Sequence, residues 1–143
     1  MKIKQISPLD DEFLKRLSFI AVMPKILYYI GKLPEKCPCV AIVGARRNTI
    51  YGEEIAYRAA YEAAKTGAIV VSGLAYGIDS IAHRGALDAG GVTVAVLGTP
   101  INKIYPARHQ ALADEIIEKG GCIISELAPD AEFFPKTSFL ERN

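Results

Sequence analysis

Residues 39–83 read CVAIVGARRNTIYGEEIAYRAAYEAAKTGAIVVSGLAYGIDSIAH, and this stretch decides the fold. Val40-Ala41-Ile42-Val43 is a short apolar run of strand type that breaks at Gly44. The loop Ala45-Arg46-Arg47-Asn48-Thr49-Ile50-Tyr51-Gly52 follows, and then an alanine-rich helix. A second strand over residues 68–71 breaks at Ser72-Gly73-Leu74-Ala75-Tyr76-Gly77-Ile78-Asp79, and again a helix follows. Two successive strand–loop–helix units predict an α/β sheet of parallel strands joined by right-handed crossovers. In such a sheet both loops lie at the carboxyl edge of neighbouring strands. Helix N-termini there point N–H groups outward and ligands bind, so function is sought at that edge.

Working outward, Ile55, Ala56, Ala59, Ala60, Ala63 and Ala64 recur at three-and-four spacing and predict a helix over residues 52–66, closed by Gly67. A second helix is expected over residues 80–89, with Gly90-Gly91 ending it. Residues 92–97 are apolar almost throughout, as a strand covered on both faces should be. Pro106 suits the first turn of a third helix, with Leu112, Ala113, Ile116 and Ile117 facing inward, and residues 122–125 make a fourth strand. Toward the N-terminus, residues 26–30 read as a strand beside the main sheet. Residues 10–20 place Phe13, Leu14, Leu17 and Ile20 on one face of a short amphipathic helix, with Asp10 or Asp11 as its cap. The organisation expected is a lead-in over residues 1–38 and a Rossmann-like domain over residues 39–143, with helices on both faces of its parallel sheet. Regular alternation stops after residue 125, and the sheet is expected to be incomplete on that side.

Composition sets bounds on function. The 143 residues, half of them apolar, suffice for one α/β core. With 17 Lys and Arg against 16 Asp and Glu, net charge is +1, so a basic site must come from local clustering such as Arg46-Arg47. No apolar run approaches the ~18 residues of a membrane span and the N-terminus lacks the apolar core of a signal peptide, so a cytoplasmic protein without membrane contact is expected. Cys37, Cys39 and Cys122 have no CxxC spacing and read as reduced, structural thiols.

At the sheet edge, Gly44 lets backbone approach a phosphate, with Arg46 and Arg47 supplying charge; a tight turn with two solvated arginines is the plain alternative. The spacing of Gly44 and Gly52 is neither a dinucleotide fingerprint nor a P-loop, so no nucleotide cofactor is expected. Ser72 can donate to a phosphate or sugar, Gly73 lets a ligand come near the backbone, and Asp79 reads as a helix cap. His83 lies one turn past Asp79 and reads as its structural partner rather than half of an acid–base dyad. Neither a matching nucleophile nor a metal-ligand motif accompanies them. Lys103, Tyr105 and Arg108 extend a basic, aromatic-containing groove suited to single-stranded nucleic acid. Tyr105-Pro106 also reads as a simple turn lock.

Several motifs now stand in order: Val40 to Arg46 with Tyr51-Gly52; Ser72 to Asp79 with Ala82-His83; Val94-Ala95-Val96-Leu97-Gly98 with Tyr105-Pro106; Ser125-Glu126; and Phe139 with Arg142-Asn143. In order and spacing they resemble the DprA/Smf DNA-processing family, over about residues 20–143. The resemblance implies an extended Rossmann-like domain that binds single-stranded DNA and helps load the RecA recombinase in natural transformation and competence. It also implies a homodimer and no known catalytic step or cofactor. Carried over position by position, it makes Arg46 the basic residue of the DNA pocket, Ser72-Gly73 and Gly77 its backbone floor, and Arg142 a cation near its rim. Arg47 is added on chemistry alone.

This sequence departs from the family pattern at Ala45, where a hydroxyl residue is usual, at His109, where asparagine is usual, and at Leu140-Glu141, which interrupt the approach to Arg142-Asn143. The family also continues past that pair. The alternative is a Rossmann-like nucleotide enzyme resembling the nucleoside-monophosphate phosphoribohydrolases, but their Pro-Gly-Gly-x-Gly-Thr segment is missing from the sequence.

Overall fold

The computed structural model describes residues 2–35, 37–134 and 142. Six strands form one mixed sheet: β1 (Lys4–Ile6), β2 (Leu27–Gly31), β3 (Cys39–Ala41), β4 (Ile69–Ser72), β5 (Thr93–Leu97) and β6 (Cys122–Ser125), in the spatial order β1-β2-β6-β5-β4-β3. The four strands from β3 to β6 are mutually parallel and carry the Rossmann-like core. The strand expected beside the main sheet, β2, pairs antiparallel with β6, and β1 pairs antiparallel with β2.

Three helices make the crossovers: α1 (Ile50–Lys65), α2 (Ile78–Asp88) and α3 (Gln110–Glu118). Each step from β3 to β6 moves the same way across the sheet, and right-handed crossovers in one direction put their helices on one face. Val70, Ala95, Leu97 and Ile123 point to that face and pack beneath the helices. Alanines at Ala56, Ala60 and Ala64 bring α1 close to Ala82 and Ala86 of α2. Fully buried Leu74, Ile101, Ile116 and Ile123 each contribute about 1.5–3 kcal/mol by leaving water.

Helical segments cover both faces, but unequally. On the second face, Ile69, Val94, Cys122 and Ile124 pack against Phe13 and Leu14, which belong to or flank a 3-10 segment, Leu14–Phe19. This corrects the amphipathic α-helix expected over residues 10–20: two 3-10 turns stand there, Pro8–Asp10 and Leu14–Phe19. Leu14 and Leu17, three apart, eclipse on one side of such a turn. Asp11 does cap locally, its Oδ1 accepting the Leu14 amide at 2.9 Å, while Ile20 is left exposed. No helix among the described residues is long and apolar enough to cross a membrane.

Candidate nucleic-acid interface

The loop after β3 is shorter than the sequence implies, because α1 begins at Ile50. Thr49 is its N-cap, with the hydroxyl accepting the Gly52 amide at 3.0 Å. Residues 44–48 therefore form a tight bend that leaves Arg46 and Arg47 exposed at the carboxyl edge, just ahead of the positive end of a 16-residue helix.

The neighbouring bend, after β4, fits against it. Gly77 is the N-cap of α2 at φ +78°, a conformation side chains resist. A Cβ there would run into the carbonyl oxygen of Ala45 and lie 2.5 Å from that of Arg46. The Ile78 amide donates to the Ala45 carbonyl at 3.2 Å. Gly77 thus seats the arginine loop.

Asp79 is the centre of the arrangement. It is buried in the first turn of α2 and does not act as the N-cap. Its Oδ2 accepts the Gly73 amide at 3.1 Å and its Oδ1 the Gly44 amide at 3.4 Å. The backbone donors expected to cradle a phosphate at Gly44 and Gly73 are therefore held by the protein's own carboxylate. Arg142 closes the other side of Gly73, donating from Nη1 to its carbonyl at 3.2 Å. Burial lowers the pKa of the Arg142 guanidinium; the Asp79 charge opposes the shift and nearby Arg46 adds to it. The site is thus a compact carboxylate with two arginines around it, built from three separate segments.

Two further expectations are corrected. The Ser72 hydroxyl is buried and donates to the Ile42 carbonyl at 2.6 Å, so it ties β4 to the end of β3 instead of facing a ligand. His83 does not pair with Asp79: it points into the sheet, its Nδ1 2.7 Å from Thr93 Oγ1, whose proton goes to the Val70 carbonyl at 2.7 Å. Nδ1 must then be the donor. Complete burial pushes the pKa of His83 down to about 3, and the nearby His109 adds to the fall. The ring is a neutral structural group.

The third loop supplies aromatics. Tyr105 stays exposed, as do Lys103 and Arg108; the Lys103 ammonium lies 5.1 Å over the Phe133 ring. Sequence reasoning missed the role of His109, whose Nδ1 lies 2.6 Å from the Leu74 carbonyl and whose ring meets Tyr76 edge-on at 5.2 Å. Leu74 is itself at φ +63°, unusual for a non-glycine residue, and His109 holds its carbonyl from α3's side of the edge. Tyr51, Tyr76 and Tyr105 are 73%, 41% and 42% exposed, a set of rings beside the cations. Among the described residues no three His, Cys, Asp or Glu side chains gather to hold a metal ion. Phe139, Leu140, Glu141 and Asn143 lie outside the described residues.

Comparison with known proteins identifies the family. The family model for DNA recombination-mediator protein A matches residues 4–143. Protein Smf of Escherichia coli is 43% identical over 125 residues, covering 86% of this chain and 33% of its own length. DNA processing protein DprA of Streptococcus pneumoniae is 37% identical over 129 residues, covering 90% of this chain and 45% of its own. The chain thus spans less than half the length of these relatives. Among solved structures, S. pneumoniae DNA processing protein A superposes with a TM-score of 0.83 at 34% identity, over 99% of this chain and 50% of that one. The Helicobacter pylori protein, solved for its single-stranded DNA binding mode, superposes at 0.79 and 32% identity, over 99% of this chain and 63% of its own. The chain belongs to the DNA recombination-mediator protein A family, the DprA/Smf proteins.

Proposed function

We propose that this chain binds single-stranded DNA along the carboxyl edge of β3, β4 and β5, as a recombination mediator without a catalytic step. The observation that carries the reading is the pairing of exposed Arg46, Arg47 and Lys103 with exposed Tyr51, Tyr76 and Tyr105 on one edge. Cations that track phosphates, interleaved with rings on which bases stack, suit a flexible single strand. Because Asp79 occupies the Gly44 and Gly73 amides, phosphates meet arginine side chains here instead of a glycine cradle. Arg142, anchored on Gly73, adds charge behind Arg46.

The groups that turnover would need are engaged elsewhere: the Ser72 hydroxyl on a backbone carbonyl, His83 in the core, Asp79 on two amides. This supports binding over the nucleotide-enzyme alternative, which the comparisons do not favour. In the same reading the bound strand is handed to the RecA recombinase during DNA uptake in the cytoplasm, and the full-length protein is a homodimer. The test is competition of labelled oligo-dT by single-stranded and duplex DNA, with Tyr105→Ala beside the parent. Single strands should compete better, and the variant should lose about 1–3 kcal/mol of binding, the value of one base stack. Equal competition by duplex, with no effect of the variant, would refute the groove.

A further inference from the structure

At the start of β3, away from the Arg46 loop, one guanidinium touches the Cys39 thiol and the backbone carbonyl of Cys37. Arg16 Nη1 points at Cys39 Sγ, 2.6 Å away, while Nη2 donates to the Cys37 carbonyl at 2.9 Å and Nε to the Phe13 carbonyl at 2.9 Å. The guanidinium also lies 4.5 Å over the Phe13 ring. Cys37 and Cys39 are two apart and pack against the same apolar cluster, so both face the second side of the sheet. Each is free and half-buried. Cys122 belongs to that cluster too but is buried, and desolvation pushes its thiol up to about 12, which leaves it inert.

We infer that Cys37 and Cys39 form a thiol pair that exchanges with small-molecule disulfides, with Cys39 attacking first beside Arg16 and Cys37 resolving. A sulfur attacks as its anion, and a guanidinium held against it stabilises the negative charge that moves through that sulfur during exchange. The Cys39 sulfur displaces one thiolate from the disulfide and forms a mixed disulfide. The Cys37 sulfur then attacks Cys39 Sγ, closes the Cys37–Cys39 bond and expels the second thiolate. The two thiol protons leave with the two displaced thiolates. The protein dithiol is oxidised by two electrons, and the small disulfide is reduced to two thiols. Closing a bridge between residues two apart in an extended segment requires the backbone to tighten at Pro38, and a strained bridge is readily reduced. It would form beside the Pro38 carbonyl, which accepts the Ile69 amide at 2.9 Å and starts the β3–β4 pairing.

Dithionitrobenzoate, a chromogenic aromatic disulfide, tests this on the reduced chain. The expected result is two thionitrobenzoate ions released per chain, no retained aromatic thiol by mass, and a Cys37–Cys39 bridge by peptide mapping. In Cys37→Ser one ion is released and its partner stays on Cys39. In Arg16→Lys, with the fold checked by circular dichroism, the first phase should slow to the rate seen at Cys37 in Cys39→Ser. Stable adducts on both cysteines with no bridge, or first-phase rates at Cys39 unchanged by Arg16→Lys, would overturn the proposal.

Discussion

The carboxylate of Asp79 lies 3.1 Å from the amide of Gly73, six residues before it in the chain, and the same side chain reaches back to Gly44 across the sheet edge. One buried acid thereby fastens the loops that leave two adjacent strands, and the arginine loop is held in place by it.

Removing that acid should loosen the edge. Asp79→Ala leaves the buried Gly73 amide without its acceptor, an omission that costs about 1–3 kcal/mol. Urea unfolding should show a midpoint lowered accordingly with an unchanged slope. A variant as stable as the parent would mean that these hydrogen bonds do not hold the loops.

Gly77→Ala tests the seating of the arginine loop. The new methyl meets the Ala45 and Arg46 carbonyls at a backbone angle of φ +78°, so the loss should exceed about 1 kcal/mol. DNA binding should weaken beyond what stability explains, since Arg46 is displaced with its loop. Gly67→Ala is the comparison: φ is also positive there, at +94°, but no heavy atom lies within 4 Å. It isolates the backbone cost from the collision.

His83 predicts the acid limb of stability. Its folded pKa of about 3 lies below the ordinary value of 6.5, so below pH 6.5 the unfolded chain binds a proton that the folded chain refuses. Stability is fully present above pH 6.5 and falls as pH drops toward 3, by up to about 1.4 kcal/mol per pH unit from this group. Urea midpoints between pH 7.5 and 4.5 measure it. A folded His83→Gln variant should show a shallower slope, and an identical slope would mean that His83 is not the group responsible.

The alternation of apolar strands and alanine-rich helices made the four parallel strands and three crossovers readable from sequence, because those signals are local. β1 was not readable: Lys-Gln-Ile carries no strand pattern and is recruited by pairing with Tyr28 and its neighbours. The 3-10 turns near the N-terminus also escaped, since Arg16 is drawn to Phe13, Cys37 and Cys39 instead of lying along a helix. At the candidate site the residue types were readable but their duties were not. Asp79 and Ser72 look like a cap and a ligand donor when read with their sequence neighbours. Their partners Gly44 and Ile42 lie 35 and 30 residues away, and only the sheet brings them together.

The central claim, that single-stranded DNA lies on the edge carrying Arg46, is tested most directly by anisotropy of labelled oligo-dT at two salt concentrations, for the parent chain and Arg46→Ala. Binding by the parent should fall with salt at a log–log slope of roughly −0.7 per phosphate neutralised. Arg46→Ala should bind more weakly and with a slope shallower by about one such unit. A folded parent chain that does not bind at low salt, or a variant that matches it at both concentrations, would contradict the account.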